Sequence, residues 1–228
     1  MSREHDVVKS SHRAYTKNSL IKDFKSMGIK KGMTIIVHSS LSSIGWVCGG
    51  PIAVIDALIE VIGEDGNIVM PSHSGDYSEP SYWCNPEVPK KWYEIIREEM
   101  PAFNPKTTPC RGMGIIAETF IKYEGVKRSH HPQVSFSAYG KDKNFITENH
   151  SLEYGLSENS PIARLYDLDA YVLLLGVPYD NNTSFHLSEY RSECREKFIS
   201  GAPIVENGKR IWKEFYDLEL DSDGFGYI

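Results

Sequence analysis

Two residues late in the chain have the types and spacing of an acid–base pair. His186 and Glu189 lie three apart in Thr183-Ser-Phe-His-Leu-Ser-Glu189, and on a helix that spacing puts them on one face. A carboxylate beside an imidazole orients the ring, fixes its tautomer and raises its basicity. A general base acting on an amine or hydroxyl needs that. A capped surface helix carrying a simple His–Glu pair is the commoner use of the same pattern. The second candidate is Ser39-Ser-Leu-Ser-Ser-Ile-Gly-Trp-Val-Cys-Gly-Gly50, followed by Pro51 at a helix start. Exposed N–H groups in such a loop, with the helix dipole behind them, suit a phosphate or pyrophosphate. The stretch matches neither G-x-x-x-x-G-K-[ST] nor G-x-G-x-x-G, and an ordinary connection whose glycines relieve strain fits it equally well.

Three further histidines fall at strand ends: His38, His73 and His131. Such positions suit metal ligation, but their spacing matches no close ligand pair and no H-E-x-x-H occurs, so no metal is expected. His130-His131 also reads as a polar turn, and His5, His12 and His150 read as solvent-exposed. The segment 71–90 supplies Asp76, Tyr77, Glu79, Tyr82 and Trp83. Acids with aromatic faces hold polyamines and amino sugars. A surface loop fastened by Trp83 has the same composition.

These residues need elements to carry them. Thr16 caps a helix to about Met27, with Leu20, Ile21, Phe24 and Met27 on one face. Thr34–His38 reads as a buried strand, Pro51–Ile62 as a helix and Ile68–Met70 as a second strand, a parallel crossover unit. Helical patterning returns at Lys90–Glu99, Gly112–Tyr123, Lys141–Asn149 and Pro161–Asp167. Val134–Tyr139 reads as a strand and Tyr171–Leu175 as another buried one. A helix carrying His186 follows the capping residues of Asp180–Thr183. The pair Asn207-Gly208 between β-prone flanks predicts a hairpin over Ile204–Trp212. The sum is an α/β domain with a central mixed, mainly parallel sheet flanked by helices and a C-terminal β-hairpin. Open sheets of this kind bind ligands at the carboxyl ends of their strands, which favours the chemical reading of His186.

Composition narrows the partners. The chain has 228 residues, 40% hydrophobic and 25% charged, with net charge -6, so it is neither disordered nor suited to nucleic acid. The mean hydropathy is -0.37, and no apolar run approaches the ~20 residues of a membrane span. The first residues hold no apolar signal core, which predicts a cytoplasmic address. Cys48, Cys84, Cys110 and Cys194 form no C-x-x-C pair and read as reduced thiols. The charge is uneven: residues 1–31 hold eight Lys/Arg against three acids, while Glu214, Asp217, Glu219, Asp221 and Asp223 meet no base in residues 214–228. A solvated face explains such a run; a field for a cationic ligand is the other reading.

Several blocks together resemble the aminoglycoside 3-N-acetyltransferase family, antibiotic acetyltransferases not of the GNAT fold. They are Val37–Gly50, Val69-Met-Pro-Ser-His-Ser74, Thr108-Pro-Cys-Arg-Gly-Met-Gly114, His130-His-Pro-Gln-Val-Ser-Phe136, Gly155-Leu-Ser-Glu-Asn-Ser-Pro161, and Leu173–Val177 with Asn182–Glu189. Six blocks in order, from about residue 17 to 223, are a specific signal. The resemblance implies acetyl-CoA as cosubstrate, an aminoglycoside or other small polyamine as acceptor, and no metal. It implies CoA contacts at His38, Ser39, Ser40, Leu41, Ser42, Gly45, Trp46, Val47, Gly49, Gly50, Arg111, Gly112 and Met113. It implies His186 as general base, Glu189 as its orienting carboxylate, and acceptor contacts at His73, Asp76, Tyr77, Glu79 and His131. Transfer would be direct, with Ser39–Ser42 amides stabilising the oxyanion. Members usually run past the point where this sequence stops, so the resemblance reads residues 1–228 as one domain shortened at its C-terminus, a monomer or homodimer. Another acyltransferase of small amines, a His-rich metal-dependent hydrolase and a non-catalytic CoA or polyamine binder are the competing readings.

Overall fold

The structure is a computed structural model describing residues 3–192 and 195–220. In chain order its elements are α1 (Arg3–Ser10), α2 (Lys17–Ser26), β1 (Thr34–Ser39), α3 (Leu41–Ile44), α4 (Gly50–Ile62), β2 (Asn67–Pro71), α5 (Tyr93–Glu99) and α6 (Gly114–Phe120). There follow β3 (Lys127–Arg128), β4 (Phe136–Gly140), α7 (Lys143–Thr147), α8 (Pro161–Asp167), β5 (Tyr171–Leu175), α9 (His186–Ser192), β6 (Lys197–Glu206) and β7 (Lys209–Leu218).

The main sheet has the order β3-β4-β2-β1-β5. β1 pairs in parallel with β2 and β5, β4 runs antiparallel to β2, and β3 antiparallel to β4. Four of the five strands therefore share one direction, as the α/β reading expects. Alternation along the central strands sorts side chains to two faces. Ile35, Val37, Ile68 and Met70 join the core under α2, α4 and α6, whereas Ile36 and Val69 join Phe136, Ile146 and Ile162 on the other face. Burial on both faces is why β1 and β2 read as continuous apolar runs.

Thr16 caps α2 in a capping box with Ser19, and Leu20, Ile21 and Phe24 are buried. Met27, counted with that stripe, is instead the C-cap and is exposed. β5 also departs from expectation. It is an edge strand, with Tyr171 and Val172 exposed, because β1 covers one side of it and no described strand pairs with the other. The hairpin is longer than predicted, β6 and β7 having ten residues each. It is fastened to α9 by Tyr190, whose hydroxyl donates to Asp217. Cys48, Cys84 and Cys110 are unpaired thiols; Cys194 lies outside the described residues.

Candidate active site

The carboxyl ends of β1, β2 and β5 meet at one edge of the sheet. There the chain leaves β1 through Ser40, whose N–H donates to Leu175 O at 3.0 Å and so prolongs the β1–β5 ladder. β2, reached through α4, lies on one side of β1 and β5 on the other, which makes this the crevice where open sheets take ligands. Gly176 follows β5 with φ 75°, and a Cβ there would come within 2.9 Å of Ser43 Cβ. The two loops are thus packed backbone against side chain. Gly49 caps α4 without a side-chain bond and Pro51 sits in the first turn, so the first-turn amides of a thirteen-residue helix have no side chain competing for them.

These features enclose a cleft of about 700 Å³. His38, Ser39, Ser40, Leu41, Ser42, Gly45, Trp46, Val47, Gly50, Gly112 and Met113 line it, all of the residues expected around CoA except Gly49 and Arg111. The sequence reading missed Glu4 and Val7 of α1, Gly114, Ile115 and Ala117 of α6, and Val177, Asn181 and Thr183 after β5. For α1 the available signal was an acid-first, base-last turn pattern; for the others it was adjacency to motifs already singled out.

Beside the cleft, Asn182 accepts the Ser184 N–H and caps the turn that leads into α9. His186 opens α9, and its Nδ1 lies 2.6 Å from Glu189 Oε2. Glu189 is 5% exposed, and its other oxygen accepts from Arg195 Nε at 2.7 Å. Both carboxylate oxygens are held, so the imidazole is oriented by a fixed group. With Nδ1–H donated to Glu189, the basic lone pair of the ring is on Nε2.

Four other histidines, His38, His73, His131 and His150, form a neutral, largely buried frame. Burial pushes His38 down to about 4. Burial, and then the charges of His38, His131, His186 and Arg128, push His73 down to about 3. The His73 ring meets Phe136 edge-on at 5.3 Å. His131 is fully buried; its Nδ1 accepts the Gln133 and Val134 N–H groups and its Nε2 reaches Leu152 O. Both nitrogens are committed to backbone, and it presents no surface to an acceptor. His150, expected in solvent, is buried: its ring accepts the Ser129 hydroxyl and donates to Gly155 O. Local sequence could not show this, because Ser129 follows β3, 21 residues away, and only the fold brings it near. Among the described residues no three His, Cys, Asp or Glu side chains converge as metal ligands would.

The long loop after β2 uses its charges internally. Arg111 Nη1 sits 2.7 Å from both oxygens of Asp76, so one residue expected at CoA and one expected at the acceptor bind each other. Tyr77 packs edge-on against Phe103. Glu79 accepts two bonds from Arg97 and is 9% exposed. Trp83 donates to Ser78, while Tyr82 donates to Ile199 O and packs against Phe198. Beneath the loop Arg128 is buried with only neutral acceptors: Thr108 O, Ser72 O, Ser74 Oγ and Ser135 Oγ. Of the acidic stretch, Glu214 and Glu219 are exposed, whereas Asp217 is buried against Tyr190 and the Leu218 N–H. Asp221 and Asp223 lie outside the described residues.

A cleft at the switch point of a mixed sheet, beside an imidazole oriented by a buried carboxylate, is the layout of an α/β enzyme. Comparison makes this particular. The model of the aminoglycoside 3-N-acetyltransferase family matches residues 36–228, and the chain belongs to that family. It is 54% identical over 220 residues to the SPbeta prophage-derived aminoglycoside N(3')-acetyltransferase-like protein YokD of Bacillus subtilis, covering 96% of this chain and 81% of that one. The crystal structure of YokD superposes with a TM-score of 0.96, covering 98% of this chain and 83% of that one. The structure of AAC-IIIb in binary complex with CoASH superposes at 0.83, with 27% identity over 94% of this chain and 83% of that one. AAC-VIa bound to sisomicin superposes at 0.80, with 28% identity over 91% and 77%. Among the described residues no helix is long and apolar enough to cross a membrane.

Proposed function

We propose that this chain transfers an acetyl group from acetyl-CoA to the 3-amino group of an aminoglycoside, in the cytoplasm, with His186 as general base and Glu189 as its orienting carboxylate. The observation that carries this is the 2.6 Å His186–Glu189 bond beside a cleft of about 700 Å³ whose floor is main chain and a helix start. Family membership and the CoASH- and sisomicin-bound relatives support the two substrates. The acceptor amine attacks the thioester carbonyl carbon, and His186 Nε2 takes the proton the amine loses. Main-chain donors of the Ser39–Ser42 stretch, apart from the Ser40 N–H that Leu175 O already takes, face the oxyanion. The C–S bond then breaks, the amide forms, and the CoA thiolate leaves and is protonated. Orientation in a ternary complex and a base of suitable basicity account for the rate without a covalent enzyme intermediate. His73, Asp76 and Tyr77 are the acceptor-side residues of this reading, whereas Glu79 and His131, already bonded within the protein, support the loop.

The test is release of free CoA thiol from acetyl-CoA over a panel of aminoglycosides and small amines. In His186→Ala, transfer falls about 10²–10⁴-fold while CoA binding, measured by calorimetry, is retained. Undiminished transfer in that variant would remove His186 from the mechanism, and a blank panel with intact CoA binding would remove the acceptor class.

A further inference from the structure

The family model begins at residue 36, yet the cleft is not closed by residues after that point. Glu4 and Val7 of α1 also line it, and at i, i+3 they share one helix face. α1 is eight residues long, contributes no side chain to either core cluster, and at that length has little stability alone. Its place is set by the segment that follows. Ser11 Oγ accepts the Trp46 N–H at 2.7 Å and donates to Val7 O at 2.6 Å. Tyr15 N–H donates to Trp46 O and Tyr15 O accepts from Cys48 N–H, making a parallel bridge with Val47. Gly45, at φ 106°, lies under this crossing: a Cβ there would meet Ser11 Oγ and the Tyr15 ring at 3.1 Å. A helix without a core role is thus locked, through its C-terminal strap, onto the cleft-lining loop.

We propose that α1 is the outer wall of the donor cleft and a determinant of acyl-donor affinity, Val7 lying against the apolar part of CoA and Glu4 accepting a hydrogen bond from one of its N–H groups. This rests on the donor assignment of the previous section. A carboxylate disfavours a neighbouring phosphate, so the Glu4–Val7 face meets the amide- or amino-bearing parts of the ligand and the α4 end meets the phosphates.

The experiment is calorimetric titration of CoA, with KM for acetyl-CoA and for the acceptor, in the full-length chain. Val7→Asp weakens CoA and raises KM for acetyl-CoA about tenfold, with the acceptor KM unchanged. Val8→Asp, on the exposed side of the same helix, makes the same change of residue and shifts neither. Glu4→Gln weakens CoA two- to fivefold. Equal effects of Val7→Asp and Val8→Asp, or unaltered CoA affinity in Val7→Asp, would overturn the proposal while leaving the donor assignment intact. Tighter CoA binding in Glu4→Gln would overturn the N–H contact. Absence of CoA binding in the unsubstituted protein would overturn both readings.

Discussion

The loops that leave β1 and β2 emerge side by side from the same end of the sheet, and both look like ligand loops in composition. They are built differently. The Ser39–Gly50 loop is held by main-chain bonds to β5 and to Tyr15 and by close packing at Gly176. Its serine hydroxyls bond one another, Ser40 with Ser42 and Ser43, and Ser39, Ser40 and Ser42 line a cleft. The loop after β2 is held by its side chains, through Asp76–Arg111, Glu79–Arg97 and Trp83–Ser78. A charge in a loop is therefore evidence for a ligand only after its protein partners are counted.

Four measurements break or sharpen this contrast. Gly176→Val has the largest expected effect, since it places a branched side chain against Ser43 at a left-handed φ. Stability falls by roughly 2–4 kcal/mol and CoA affinity by more than tenfold; unchanged binding in calorimetry would show that the first loop does not depend on that packing. Glu79→Ala comes next. It strands Arg97 and costs about 1–2 kcal/mol in chemical denaturation, with the acceptor KM within twofold. A tenfold rise in that KM without loss of stability would return Glu79 to the acceptor site.

The third measurement is the pH dependence of that loss. Burial raises the Glu79 carboxyl, but its bonds from Arg97 and Ser81 outweigh burial and hold it below 4.5. The stabilisation is therefore complete above 4.5 and is lost as pH falls through the lowered folded value, so the gap between Glu79→Ala and the unsubstituted chain narrows as the pH is taken down below 4.5. The smallest effect belongs to Asp76→Asn. Its pair with Arg111 is exposed on both sides, and the midpoint of chemical denaturation stays at that of the unsubstituted chain. Any shift in acceptor KM then reports contact with the ligand itself.

The same contrast explains what could be read from the sequence. The cleft loop was legible because serine, glycine and a helix start act through the local backbone. The crossover β1–α4–β2 was legible through its apolar periodicity, and the His186–Glu189 pair through a spacing of three. The arginines that pair with Glu79 and Asp76, and the Ser129 hydroxyl that meets His150, lie 18, 35 and 21 residues away, beyond any local pattern. β5 failed as a buried strand because burial depends on its neighbours, and its apolar composition is that of a central strand. α1 went unread because its function is set by Ser11 and Tyr15 crossing a loop 35 residues on.

The buried histidine frame also makes acid a denaturant. Burial holds His38, His73, His131 and His150 well below 6.5. Below 6.5 the unfolded chain binds protons that the folded chain refuses, and stability declines steadily toward pH 4. Unfolding in that window would take up as many as four protons, one for each of these rings. Buffer ionisation enthalpies in calorimetric melting would reveal that uptake, because each proton drawn from the buffer adds its ionisation heat to the heat of unfolding.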